Sequence, residues 1–397
     1  MRKKREGCWD VDELNNGVAV DPEAHGSVGA AMSRLAGMVE WYGAKGADDL
    51  QFLVGTAPRI RIDGRLLTDD DPGAQTGVSA EELLLWAEGV GGPEGRAALE
   101  TGAAGHVWGA AETSSHRMRV TLRRQEGGYA ASVRIIPTEV PTTKVVDAPQ
   151  QVLELLDRQG GLIIVCGAVA NGKSWTLAAF VDYINNHYEK HILTLEDPIE
   201  LKHLDKKSLV SQRQVGRDTI SYGEGMRAAM RSSPDVILLG ELLDRETVHE
   251  AVDAAGKGHL VMTTAHAASA VDAINFLISQ FPGDEQPAAR IRIAQSLIAI
   301  VVQRLVPKAG GQGRVPAREI LLNNRAVAMN IRDGHLQKLG SRMNARERMV
   351  TLEDDLAKLA TAGVITWATA VEYANDRLAI EDHEANPANK PTDLRSA

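Results

Sequence analysis

The stretch Leu162–Leu177, LIIVCGAVANGKSWTL, decides the fold of this 397-residue chain. A short apolar run enters a loop of the pattern Gly-x-x-x-x-Gly-Lys-Ser, which occupies 167–174, and a helix-forming segment follows. This is a phosphate-binding loop (P-loop) in the strand–loop–helix context that it requires. Its glycines allow backbone N–H groups to close around a phosphate. Four fixed positions in eight residues seldom coincide in a turn that binds no ligand.

The whole loop is predicted to contact a nucleotide. Lys173 is expected between the β- and γ-phosphates, and Ser174 is expected to coordinate Mg²⁺ at the helix N-terminus. The other predicted cofactor-binding positions of the loop and first helical turn are Gly167, Ala168, Val169, Ala170, Asn171, Gly172 and Trp175. The predicted cofactors are therefore ATP and Mg²⁺.

Composition narrows the class of protein. The formal charge is −9 and no dense basic block occurs beyond residues 2–5, so direct nucleic-acid binding is not expected. Only Cys8 and Cys166 are present, which excludes a disulfide framework and a cysteine-rich zinc site. The most apolar run, Leu297–Val302, is too short to span a bilayer. We therefore expect a cytoplasmic protein.

The pattern along the chain predicts an α/β fold with two domains. A flexible arm (1–28) precedes a small α+β domain (29–137), and a proline-punctuated linker (138–150) follows. Strands then alternate with helices in a domain over 151–380, which indicates a parallel-type sheet with P-loop topology. The charged tail, 381–397, is expected to be disordered.

Within the second domain, Ala268–Val306 is predicted to be helical and Pro316–Leu322 to be a late strand. Helices beginning at Thr351 and Thr366 should end the domain. The fold is thus predicted as an α+β domain, a P-loop domain and C-terminal helices.

Hydrolysis requires an acid or base near the γ-phosphate, and Glu241 is the predicted catalytic carboxylate. It follows the buried strand Val236–Leu239, and ligands of open parallel sheets bind at the carboxyl ends of strands. Glu241 could polarise the attacking water there or hold it in line. The alternative is a solvated acid at a strand end.

Further polar groups follow the neighbouring strands. Glu196, Asp197 and Glu200 end one strand, where they could coordinate Mg²⁺, directly or through water, or orient the attacking water. They could equally be solvated loop residues. His266 ends another strand and could contact the γ-phosphate, although a lone histidine is more often structural.

These four segments, in this order, resemble the four signatures of the type II/IV secretion ATPase superfamily, namely the Walker A, Asp box, Walker B and His box. The type IV pilus retraction ATPases, with their accessory PilU-like members, resemble this chain over roughly residues 30–380. Further segments that resemble this family are Tyr183–Asn186, Ser211–Thr219, Gln303–Pro307 and Arg134–Pro137. The absence of a four-cysteine zinc insertion favours the retraction branch over the assembly ATPases.

The resemblance implies a PAS-like N-terminal domain, a RecA-like ATPase domain and a homohexameric ring with nucleotide between subunits. It implies that Arg213 and Arg217 reach a neighbouring subunit's nucleotide. Arg134 is the predicted N-domain nucleotide contact, and Arg119 and Arg123 are further candidates, for which surface salt bridges are the alternative. An arginine supplied across an interface offsets transition-state charge only when the ring closes.

The sequence also departs from the family pattern. The loop has Ala170-Asn171 where Gly-Ser is usual, and asparagine tolerates a left-handed backbone. A basic residue is usual near Leu243, and the His box has Ala265 and Ala267 in place of leucine and threonine. These changes affect turnover and γ-phosphate sensing more than binding.

The predicted function is an ATP-hydrolysing hexameric motor that powers pilus retraction and twitching motility. Its expected partners are its own copies, an inner-membrane pilus platform protein that holds it at the membrane, and a paralogous motor ATPase. Two alternatives stay open: a conjugation or secretion-system ATPase, and a PilU-like ring subunit with little or no ATPase activity of its own.

Overall fold

The structure is a computed structural model, and it divides the chain between Glu139 and Val140 into two compact units. It describes residues 9–10, 27–68, 77–103, 105–340, 343 and 345–385. Most of the predicted arm (1–28) and the end of the predicted tail lie outside the described residues.

Among its described residues, the N-terminal unit combines two helices with one sheet. The helices are α1 (Val28–Ala44) and α2 (Ala80–Thr101). The strands are β1 (Trp9–Asp10), β2 (Asp49–Leu53), β3 (Arg59–Ile62), β4 (Arg65–Thr68), β5 (His106–Glu112), β6 (His116–Gln125) and β7 (Gly128–Pro137), in the spatial order β1-β5-β6-β7-β2-β3-β4.

Local signals explain several of these elements. Ser79 caps α2 by accepting a hydrogen bond from the Glu82 amide, as its sequence predicts. Asp63 and Gly64 form the two-residue turn that joins β3 to β4. Both have a positive φ, as the tight turn of a hairpin requires. Strand β5 was not expected from the sequence, although its side chains alternate between buried and more exposed positions.

The second unit is built on a sheet with the order β10-β9-β11-β12-β8-β13-β14. All neighbours pair in parallel except β13 and β14. The strands are β8 (Gly161–Cys166), β9 (His191–Glu196), β10 (Leu209–Gln214), β11 (Val236–Leu239), β12 (Leu260–Ala265), β13 (Leu297–Pro307) and β14 (Arg314–Leu322). The predicted α/β class and parallel-type sheet are confirmed.

Helices cover this sheet and extend beyond it. They are α3 (Gln150–Leu153), α4 (Lys173–His187), α5 (Tyr222–Ala229), α6 (Arg245–Gly256), α7 (Ala270–Ser279), α8 (Gln286–Ser296), α9 (Arg325–Arg332), α10 (Leu352–Thr361), α11 (Trp367–Tyr373) and α12 (Arg377–Ala385). Buried apolar side chains pack between the sheet and its helices in two clusters, one of them beneath α4 and the other beneath α6, α7 and α8.

The prediction that Ala268–Val306 is helical is wrong from Leu297 onward. That segment is strand β13, paired in parallel with β8 and antiparallel with β14. Its residues from Leu297 to Gln303 are all buried. A continuous apolar run rich in β-branched residues suits a strand that is covered on both faces. A helix on the surface of the sheet would instead have polar residues at intervals along the run.

The predicted disordered tail also begins too early, because α12 continues through 381–385. Ile380 is fully buried in the cluster that includes Leu356 and Ala370, and this contact holds the helix. Within the described residues, no helix is both long and apolar enough to cross a membrane.

Candidate nucleotide-binding and hydrolysis site

The P-loop leaves the buried end of β8 and enters α4 directly. Gly167 has a φ of 146°, and a Cβ there would lie 2.4 Å from the Gln303 carbonyl oxygen. Gly172, with a φ of 73°, is the residue before the helix. Both glycines are therefore required, the first by space and backbone and the second by backbone.

The two residues that depart from the family pattern have different roles in the loop. Ala170 takes the left-handed conformation, with a φ of 64°, although asparagine was the residue expected to tolerate it. Asn171 instead uses its side-chain oxygen to accept a hydrogen bond of 3.0 Å from the Leu305 amide. The loop thus carries local strain at Ala170 and is anchored to β13 at Asn171.

Lys173 is turned onto its own loop. Its Nζ donates to the carbonyl oxygens of Gly167 and Ala168, at 2.9 and 3.0 Å. Burial lowers its pKa, and the negative charge of Glu241 acts in the opposite direction. Ser174 is the second residue of the helix and Trp175 the third. A cation, a hydroxyl and a helix N-terminus therefore meet at one place, which suits a polyphosphate.

Glu241 is fixed by its neighbours in the sheet. The Gly240 amide donates to the Leu195 carbonyl of β9 at 2.8 Å, and the Thr264 hydroxyl of β12 donates to the Gly240 carbonyl at 2.7 Å. The Leu242 amide donates in turn to the Thr264 carbonyl at 2.9 Å. The backbone on both sides of Glu241 is thus held between two strands, which orients the carboxylate at the sheet edge.

The structure brings His266 to Glu241. His266 Nε2 lies 3.8 Å from Glu241 Oε2, and their side chains are 51% and 34% exposed. His266 directly follows β12, so the two groups meet because β11 and β12 are neighbours. An accessible carboxylate beside an imidazole can orient a water molecule and bind or release its proton.

The acidic cluster after β9 divides between two environments. Glu196 Oε1 accepts hydrogen bonds from the Thr194 hydroxyl (2.7 Å) and from Gln212 Nε2 (3.1 Å), and is thereby tied to β10. Asp197 is exposed and precedes a cis peptide bond to Pro198. Glu200 is partly exposed in the following loop.

Tyr222 was missed by the sequence reasoning. Its hydroxyl lies so close to Gly240 that a Cβ there would be 2.9 Å away. Burial, followed by the nearby charges of Asp197, Glu241 and Glu196, raises its pKa. Tyr222 therefore stays protonated and can donate a hydrogen bond among the carboxylates. The signal that could have found it is an aromatic residue directly after the N-cap Ser221.

Within the described residues, no group of three His, Cys, Asp or Glu side chains lies close enough to hold a metal ion by itself. The predicted ligands, Ser174 at the P-loop and Glu196 and Asp197 at the carboxyl end of β9, nevertheless carry oxygen groups of the type that Mg²⁺ prefers. Mg²⁺ commonly keeps several waters and binds through phosphates and one or two protein oxygens. The donor set fits that mode of binding, and the residue assignment stays a prediction.

Arg213 and Arg217 lie away from the P-loop of their own chain. Arg213 is on β10, the edge strand, and three strands separate β10 from β8, a distance of about 19 Å at the usual strand spacing. Arg213 donates to the Asp218 carbonyl at 2.8 Å, and Arg217 pairs with the Asp218 carboxylate at 2.9 Å. The hydrogen bond from Arg217 lowers the pKa of Asp218.

The three candidate arginines of the N-terminal unit all have partners inside that unit. Arg134 donates to Asp49 at 3.1 Å, and Arg123 donates to the Ser132 hydroxyl at 2.9 Å. Arg119 lies 5.6 Å from the centre of the Trp108 ring, and its backbone stands opposite that of Arg134 in the register of β6 and β7. Their predicted approach to a nucleotide stays a prediction.

Gln303 is the second residue that the sequence reasoning missed as part of the site. It is 2% exposed, and its Nε2 donates to the Asn171 carbonyl at 2.6 Å. Its Oε1 accepts from the Thr176 hydroxyl at 3.0 Å. The available signal was a polar residue inside the apolar run of β13. Because that run was predicted to be a helix, the side of the segment on which Gln303 lies could not be predicted.

Comparison with known proteins matches residues 118–385 to the family described as "Type II/IV secretion system protein". The chain is 36% identical to the type IV pilus retraction ATPase PilT of Pseudomonas aeruginosa over 332 residues, which are 83% of this chain and 95% of that protein. It is 34% identical to the type IV pilus ATPase PilU of the same organism, over 83% of this chain and 86% of PilU.

A crystal structure of the pilus retraction motor PilT with bound ADP superimposes with a TM-score of 0.76 at 38% identity. The match covers 88% of this chain and 99% of that one. The family match spans well over half of the chain, and it includes every residue of the P-loop and of the two acidic segments. The chain is therefore a P-loop ATPase of the type II/IV secretion system family, related to the type IV pilus retraction ATPases.

Proposed function

We propose that this chain is an ATP-hydrolysing motor that acts as a homohexameric ring and powers type IV pilus retraction. The observation that carries the proposal is that Glu241 meets His266 at the sheet edge and acts electrostatically on Lys173 of the P-loop, in a chain that matches PilT over almost all of PilT's length. The loop supplies phosphate binding, and the two side chains supply the groups that hydrolysis needs.

In this proposal Lys173 binds the β- and γ-phosphates, and Glu241 orients the attacking water and accepts its proton. His266 contacts the γ-phosphate side of the site. Bound Mg²⁺ would neutralise phosphate charge, with Ser174 as a ligand and Glu196 and Asp197 acting directly or through water. Glu200 would help orient the water.

The position of Arg213 supports the ring. Arg213 lies on β10, about 19 Å from the P-loop strand β8 of its own chain by the strand spacing, and Arg217 follows in the next turn. They can therefore act on a nucleotide only if that nucleotide belongs to another copy. Arg134, with Arg119 and Arg123, would approach the nucleotide from the N-terminal domain. Each interface then closes around one nucleotide, and its turnover moves one domain against the next.

The proposed partners are an inner-membrane platform protein, on which the ring exerts force from the cytoplasm, and a paralogous motor ATPase. The relatives include both PilT and PilU, so co-assembly of two such rings is part of the proposal.

A PilU-like accessory subunit is the second candidate. The observation that favours it is the left-handed Ala170 in the P-loop, together with the exposed Leu243 where the family usually has a basic residue. Both changes would slow turnover without preventing binding. A conjugation or secretion ATPase is the third candidate, since the matched family includes secretion proteins.

Two experiments separate these candidates. Purified full-length protein should hydrolyse ATP well above its Lys173→Ala variant, and equal rates would favour the accessory subunit. Deletion of the gene should leave cells over-piliated and unable to twitch, and wild type but not Glu241→Gln should restore motility. Normal piliation and motility after deletion would contradict retraction, and transfer genes beside this one would then favour secretion.

A further inference from the structure

Gln303 connects the P-loop to a second part of the chain. In addition to its bonds with Asn171 and Thr176, Gln303 accepts at Oε1 a hydrogen bond of 2.9 Å from Arg318 Nε. Gln303 and Arg318 face each other in the register of β13 and β14. A single buried amide therefore contacts the P-loop, the first turns of α4 and the neighbouring strand.

Arg318 is a buried cation, with 2% of its surface exposed. Burial of a guanidinium is costly unless its donors are satisfied. One end of the group donates to Gln303, and the other donates to the carbonyl oxygens of Val146 and, at 2.7 Å, Asp147. The Asp147 carboxylate is 3.7 Å away. Arg318 thus bridges the P-loop partner Gln303 and the segment that follows the N-terminal unit.

The segment that Arg318 holds, 142–148, is compact and strained. The amides of Val146, Asp147 and Ala148 donate to carbonyl oxygens of residues 142–144, at 2.8 to 3.2 Å. Asp147 has a φ of 48°, which is unfavourable for a residue with a Cβ. Backbone strain of this kind persists only where surrounding contacts impose it, and here the two carbonyls at the strained position are those that Arg318 binds.

We propose that Arg318 and Gln303 are positioning residues that couple this linker segment (142–148) to the P-loop, so that nucleotide binding and docking of the linker stabilise each other. The link runs from the Asn171 carbonyl through Gln303 and Arg318 to the carbonyls of 146 and 147. By reciprocity, a nucleotide that orders the loop must stabilise the docked linker by the same factor that the linker strengthens nucleotide binding. The proposal rests on nucleotide binding, but not on retraction as the work performed.

The first test is amide hydrogen exchange of the linker segment in full-length wild type, with and without ADP. ADP should slow exchange at 142–148 by about five-fold or more, the lower end of ordinary coupling. No variant is needed. If ADP binds and exchange in this segment is unchanged, the coupling is refuted while the proposed function stands; if ADP does not bind, the proposed function itself fails.

The second test separates the two ends of the link. Arg318→Met leaves Gln303 bonded to Asn171 and Thr176 but releases the linker, so the dissociation constant of a fluorescent ADP should rise by about five-fold or more. Gln303→Met leaves Arg318 on the linker carbonyls, and ADP should then no longer alter exchange at 142–148. Arg318→Lys, which keeps the charge, should recover part of the affinity.

Arg227→Met is the matched control, because it removes an exposed arginine of the same domain that pairs with Glu246. It should change neither readout. A folded Arg318→Met protein that binds ADP as tightly as wild type would overturn the proposal. If that variant does not fold, Gln303→Met and the wild-type exchange experiment decide the question.

Discussion

The two halves of the site differ in how they are held. The P-loop half is exposed at 168–170, but hydrogen bonds of the Asn171 and Gln303 side chains tie it to β13. The hydrolysis half, Glu241 and His266, is oriented by backbone contacts, but its two side chains are exposed and 3.8 Å apart. Side-chain hydrogen bonds thus hold the candidate binding loop, whereas the candidate catalytic groups are left open. Such an arrangement suits a site that is completed from outside, by a neighbouring subunit and the nucleotide.

Glu241→Gln should abolish most of the ATP hydrolysis and leave nucleotide binding unchanged. We expect the catalytic rate to fall by about 10²- to 10³-fold, because an amide cannot accept the proton of the attacking water. The dissociation constant for ADP should stay close to that of wild type, since Lys173 and the loop are unchanged. Steady-state ATPase rates and fluorescent-ADP titration measure the two effects. A parallel loss of ADP binding would show that the two halves are not separate.

Arg213→Gln and Arg217→Gln test whether the open half is completed by another subunit. Each should lower the ATPase rate on the order of 10²-fold, less than the 10³-fold or more of a lone arginine finger, because the other arginine still offsets transition-state charge. Mixing either variant with Lys173→Ala subunits should recover activity, because mixed interfaces combine an intact loop with an intact arginine. Arg227→Gln serves as the control. Full activity in both arginine variants would exclude the role.

Glu319→Gln tests the buried support beneath the catalytic half. Glu319 is 8% exposed, and its Oε1 accepts from the amide of Ala270, the first residue of α7 after the His266 loop. Burial raises its pKa to about 7, while Arg304 acts against this and Glu353 and Asp272 add to it. The folded state therefore binds the proton more tightly than the unfolded state.

The contribution of Glu319 protonation to the free energy of unfolding should be fully present below about pH 4.5 and lost as the pH rises through 7. Glutamine cannot ionise, so Glu319→Gln should match wild type near pH 4.5 and exceed it above pH 7 by up to about 3 kcal/mol. Denaturant unfolding across this pH range measures the difference. The exposed Glu372→Gln should show no such trend, and a pH-independent difference in Glu319→Gln would contradict the assignment.

Ala170→Gly tests the P-loop half and should have the smallest effect, a small gain in the free energy of unfolding. Because Ala170 has a φ of 64°, glycine should relieve strain and stabilise the protein by about 1 kcal/mol. Thermal unfolding with and without ADP is the measurement. Ala168→Gly, in the same loop without a positive φ, should be neutral or destabilising. An equal effect of both changes would show that the strain at Ala170 is not the cause.

The sequence by itself determined the binding half of the site. The glycines, the lysine and the serine of 167–174 are contiguous, and short-range backbone geometry requires them together. The alternation of strands and helices also predicted the parallel sheet, and hence that Glu241 and His266 would meet at one edge. The parallel sheet and the contact of Glu241 with His266 are confirmed, because local pattern and the geometry of parallel sheets are sufficient for both.

Only the tertiary structure decided what holds the loop. Gln303 lies 132 positions along the chain from Asn171, and Arg318 lies 171 from Asp147, so no local pattern pairs them. The helical prediction for the run that contains Gln303 failed because an apolar segment buried on both faces has no distinguishing period. That Ala170, rather than Asn171, takes the left-handed backbone was likewise decided by a distant bond from the Leu305 amide to Asn171. Contacts between β13, β14 and the linker therefore had to be seen in three dimensions.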